Sequence, residues 1–120
     1  MTTNTDAIDP TANADAPAKP ESKAKKRARE LMRRDAVIRR MPIHEIVKLL
    51  ESEEPNDRLR GEYYLLRQRN FALRELADQY NAGEFELTEK EWTHLRGQIY
   101  GSTVFLRSFR YIAQVRGLEL

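Results

Sequence analysis

Residues 88–117 read TEKEWTHLRGQIYGSTVFLRSFRYIAQVRG, and this stretch decides the fold because it is apolar on two opposite sides. At about 100° per residue, Trp92, Leu95, Ile99, Ser102, Leu106, Phe109 and Ala113 form one heptad-spaced stripe. Gly97, Gly101, Val104, Ser108 and Val115 form a second stripe on the far side, and Arg96, Arg107 and Arg110 occupy one flank between the two. A helix wetted on one face needs only one stripe. This spacing therefore predicts a helix with a second neighbour, supplied by an earlier helix of the same chain or by another copy. Thr88-Glu89-Lys90-Glu91 is a capping box, with Leu87 and Trp92 placed as a hydrophobic staple over it. At the other end Gly117 suits a left-handed cap, and Leu118 is placed to fold back on Ile112 or Ala113.

One segment upstream, Leu59, Tyr63, Leu66, Asn70, Leu73, Ala77 and Tyr80 alternate spacings of four and three, the signature of a helix–helix seam. Leu65, Ala72 and Leu76 widen that apolar face, and Asn81-Ala82-Gly83 supplies a stop. The spacing predicts a helix over 57–81 joined by a short link through Phe85 to one over 89–116. Two long helices joined so closely must pack as an antiparallel hairpin.

Further out, Ile43, Ile46, Val47 and Leu50 give the i, i+3, i+4, i+7 pattern of a short helix, started at Pro42 and ended by the Glu51–Glu54 run. Residues 22–40 are rich in Ala, Lys, Arg, Glu and Leu, all good helix formers. Their stripe of Ala24, Ala28, Leu31 and Ile38 is thin and is interrupted by Asp35. Residues 1–21 are mostly Thr, Asn, Asp, Ala and Pro without an apolar run, a composition that predicts a disordered acidic tail. The domain reading is thus a tail over 1–21, a basic arm over 22–41 and a helical domain over 42–120. The fold class is all-α.

All ten aromatic residues lie between Tyr63 and Tyr111, so the core must be concentrated there. The 120 residues contain no cysteine, which removes disulfides and thiolate chemistry and fits a reducing compartment. No apolar stretch approaches the ~20 residues of a membrane span, and the chain opens without the apolar run of a signal peptide. The expectation is a soluble cytoplasmic protein.

The net charge of +2 conceals segregation. Residues 22–40 hold nine cations, Lys23, Lys25, Lys26, Arg27, Arg29, Arg33, Arg34, Arg39 and Arg40, against Glu30 and Asp35. The tail and the remainder are net acidic. A run of cations suits phosphates or an acidic protein surface, and it also serves simply as a solvated face.

Three other features invite a site. Tyr64 and Phe71 lie one above the other on the side of the 57–81 helix away from the seam; they suit a partner surface, or a fold-back of an earlier helix over them. Asn70 in the seam fixes register or oligomer state, or else bonds Gln98 or the backbone. Gly97, Gly101 and Ser108 allow close helix approach. Chemistry for catalysis is poorly supplied. Glu91-x-x-His94 has the spacing of a helix-bundle metal half-site, but Glu91 is engaged by the capping box and no inward carboxylate completes the set. The reading is therefore not an enzyme, with no cofactor and no membrane contact. It is an interaction or assembly module, expected to dimerise, with nucleic-acid binding through residues 22–40 as the alternative and a dimeric metal site at Glu91 and His94 as a remote one.

Overall fold

The computed structural model describes residues 20–120, and among these it contains four helices and no strand. They are α1 (Lys23–Arg39), α2 (Ile43–Leu50), α3 (Pro55–Asn81) and α4 (Glu89–Val115). The tail expected over 1–21 lies almost wholly outside the described residues. The chain divides into two compact units, Met1–Met32 and Arg33–Leu120, so the boundary falls within α1.

The hairpin packs along the heptad stripes. On α4, Leu95, Ser102, Leu106 and Ala113 are buried, and Trp92, Ile99 and Phe109 are half-buried. On α3, Tyr63 and Asn70 are buried, with Leu59, Leu66, Leu73, Ala77 and Tyr80 half-buried. Tyr63, Leu106 and Ile38 form the centre of the core, surrounded by Tyr64, Leu66, Phe71, Phe109 and Leu120. The closed end of the hairpin is aromatic: the Tyr80 and Trp92 rings lie 4.5 Å apart, and Phe85 meets Tyr80 edge-on.

Local chemistry sets the helix ends. Thr88 and Glu91 form the capping box in full, the Thr88 hydroxyl accepting from the Glu91 N–H at 3.1 Å and the Glu91 carboxylate from the Thr88 N–H at 2.9 Å. Gly117 and Gly83 take φ of 66° and 79°. Each closes a Schellman motif, with Leu118 N–H donating to Ala113 and Glu84 N–H to Gln79. α3 starts at Pro55, two residues before the expected Asp57, because proline already holds the φ of a first helical residue. Likewise Pro42 sits at the N-cap of α2 with an extended backbone, one place before the expected first turn.

Three packing expectations are corrected. Ala72 and Leu76 are exposed, so the α3 seam is narrower than its apolar content suggested. On α2, Ile43 and Val47 are exposed, while Ile46 is fully buried and Leu49 and Leu50 are half-buried. Gly61 marks where α2 meets α3: a Cβ there would lie 3.0 Å from the Leu49 Cβ, the Leu50 Cδ2 and the Leu50 backbone N, so the two helices approach closely on the Leu49–Leu50 side. Asp35 does not weaken the end of α1 but fastens it. Its carboxylate takes Arg67 in a two-point pair at 2.9 and 3.3 Å. Gln68 completes the attachment by donating to the Ile38 and Met41 carbonyls, the first of which also accepts from the Met41 N–H at 3.2 Å.

Candidate interaction surfaces

The far side of α4 carries the second stripe. Gly97, Val104, Ser108 and Val115 are exposed and Gly101 is half-buried. Tyr100, Phe105, Tyr111 and Ile112 flank this stripe, and Tyr100, Phe105 and Tyr111 are 73%, 63% and 67% exposed. α2 packs against α3 and α3 against α4, leaving this second stripe uncovered within Arg33–Leu120. A Cβ built on Gly97 or Gly101 meets nothing within 4 Å. Glycine inside a helix costs about 1 kcal/mol relative to alanine, so two of them four residues apart lack any reason in the fold of this unit.

Asn70 is fully buried and organises a polar network across the hairpin. Its amide donates to the Ser102 hydroxyl at 2.7 Å, and Ser102 passes the bond on to the Ile99 carbonyl. Its carbonyl oxygen accepts from Arg67 and from Arg74, each at 3.0 Å. The expected partner Gln98 is exposed and plays no part in these bonds. The network joins α3 to α4 within one chain, and that fixes the register of the hairpin, because a polar group buried without partners costs about 1–3 kcal/mol.

The nine cations of residues 22–40 do not act as one set. Lys23, Lys25, Lys26, Arg27 and Arg29 are exposed, with Arg29 paired to Glu21. Arg33 and Arg40 are exposed as well. Arg34 is half-buried, donating to the Leu120 carbonyl at 2.8 Å and pairing with Glu119. The Arg39 guanidinium lies 4.3 Å from the centre of the Phe71 ring, and that of Arg67 lies 4.2 Å from the same ring. Phe71 is thus half-buried under arginine, and Tyr64 is half-buried beside Tyr63 and the core. Of the two readings of these aromatics, partner surface or fold-back of an earlier helix, the packing has Arg39 of α1 over Phe71 and Tyr64 against the core. Burial pushes the Tyr64 hydroxyl above its ordinary value of 10.0, with Arg60 and Arg34 opposing and Tyr63 and Glu119 assisting.

Glu91 is engaged in its capping box and His94 is exposed. Among the described residues no three His, Cys, Asp or Glu side chains are grouped to hold a metal, and no helix is long and apolar enough to cross a membrane. Two structural features escaped the sequence reading. One is Gly61, whose position inside a helix was its only signal. The other is the convergence of Arg39, Arg67, Arg74 and Arg110 around one groove, which no local spacing reveals because the residues come from three helices. No protein-family model, curated protein or solved structure matches the chain.

Proposed function

We propose that the protein is a non-catalytic assembly module that pairs with a second copy of itself through the outer face of α4. The observation that carries this reading is the uncovered stripe opposite the seam, with glycines at one end and bulky side chains at the other. Gly97, Gly101, Val104, Ser108, Tyr111 and Val115 follow one another at spacings of four, three, four, three and four. Two such stripes laid antiparallel set Gly97 against Val115, Gly101 against Tyr111 and Val104 against Ser108. Each large side chain then meets a small one, and the contact is self-complementary as a two-fold interface requires. Antiparallel pairing also opposes the helix dipoles.

Light scattering on the eluting full-length chain tests this. The expected mass is near twice 14.1 kDa, and Val104→Glu returns it to the single-chain value. A strict monomer at high concentration overturns the reading.

A second reading keeps nucleic acid as the partner of residues 22–40, favoured by the exposure of Lys23, Lys25, Lys26, Arg27, Arg33 and Arg40. It predicts binding that falls steeply with salt and that disappears in a 41–120 truncation. No binding at low salt removes it.

A further inference from the structure

We propose that the groove between α3 and α4, next to the end of α1, binds a compact organic anion bearing at least two phosphate-type charges. The groove has a volume of about 900 Å³ and is lined by Arg39, Arg67, Arg74 and Arg110, a size within the ~300–1000 Å³ of small-molecule sites. This site is separate from the self-association face, since it opens on the side of α4 that carries Ile99, Thr103, Leu106 and Arg110.

Three of the four arginines are held by groups that do not neutralise them. Only Arg67 has a carboxylate partner among the bonds that order this cluster, namely Asp35. Arg74 is held through its Nε by the neutral Asn70 oxygen and, more loosely, by the Thr103 hydroxyl. Arg110 donates its Nε to the Tyr63 hydroxyl at 3.2 Å. Arg39 rests on the Phe71 ring. Neutral ties fix where the Arg39, Arg74 and Arg110 guanidinium groups sit without cancelling their charge, and arginine cannot shed its proton to relieve the repulsion. Using Nε for the tie also leaves the paired Nη edge of Arg110 for a two-point contact with a phosphate.

The acids in the lining select the size of the anion. Glu75 and Asp78 line the same groove, together with Ala77 and Ile99. A nucleic-acid backbone running the length of the groove would meet those carboxylates. A compact anion places its phosphates among the arginines and its uncharged body against Ile99 and Ala77, where the two acids accept from its hydroxyl or amino groups.

Calorimetric titration of the full-length chain with sodium pyrophosphate, at fixed ionic strength, tests the proposal. Binding is expected, with a raised thermal midpoint. Arg39→Gln, which leaves the Asn70 network intact, should weaken binding about tenfold, as loss of one charge-assisted contact implies. Arg74→Gln should do the same, while Arg96→Gln, which lies outside the groove, should not. Absence of binding at millimolar pyrophosphate overturns the proposal, as does an Arg96→Gln effect equal to that of Arg39→Gln. A single-stranded oligonucleotide that binds more tightly with length and resists displacement by pyrophosphate also overturns it, in favour of a polymer.

Discussion

At the scale of single residues, the three glycines inside helices have opposite reasons for being there. Gly61 sits at a close helix contact, where a methyl group would press on the Leu49 Cβ and the Leu50 backbone at 3.0 Å. Gly61→Ala should therefore lower stability by about 1–3 kcal/mol through overpacking, despite alanine's better helix propensity. Gly97→Ala and Gly101→Ala meet open space, so each should raise the stability of the isolated chain by about 1 kcal/mol. Urea unfolding of the three variants at low protein concentration compares them directly. Asn70→Ala should cost about 2 kcal/mol, since it strips partners from Arg67, Arg74 and Ser102 together. Tyr64 adds a pH dependence. Its folded pKa is raised by burial, so the neutral hydroxyl's contribution is complete below about pH 10 and is lost as the pH climbs through the folded value. Unfolding measured from neutral to strongly alkaline pH should show a steeper alkaline loss for the wild type than for Tyr64→Phe.

At the scale of helices, what could be read from the sequence depended on how local its cause was. The capping box at Thr88 and Glu91, the glycine stops and the heptad stripes were legible because each involves residues within one or two turns. Thr88→Ala should accordingly cost about 1 kcal/mol, as thermal unfolding can measure. The helix-to-helix attachments were not legible. α2 meets α3 at Gly61, and the Asp35 that interrupts the α1 stripe is paired with Arg67 of α3. The candidate sites follow the same division. The seam position of Asn70 was visible in the heptad, but its arginine partners were not. Tyr64 and Phe71 shared a face as expected, yet the side chains that cover Phe71 come from 32 residues upstream at Arg39 and from four residues before it at Arg67.

At the scale of the whole molecule, the second apolar stripe of α4 is what the fold of Arg33–Leu120 leaves unanswered. Its geometry gives the pairing an orientation that can be checked. The sequence has no cysteine, so the double variant Val104→Cys, Ser108→Cys introduces thiols that face one another across the proposed two-fold axis. Mild oxidation should then yield a covalent dimer in high proportion, whereas Glu62→Cys, on an exposed part of α3, should not. Sedimentation equilibrium of the wild type beside Gly101→Ala tests the central claim most directly, because one methyl group is expected to act in opposite senses on the two equilibria. The wild type should approach twice 14.1 kDa, and Gly101→Ala should dissociate at about tenfold higher concentration while its single chain is more stable. A wild type that remains at 14.1 kDa at every concentration, or a variant that associates as tightly as the wild type, would contradict the account.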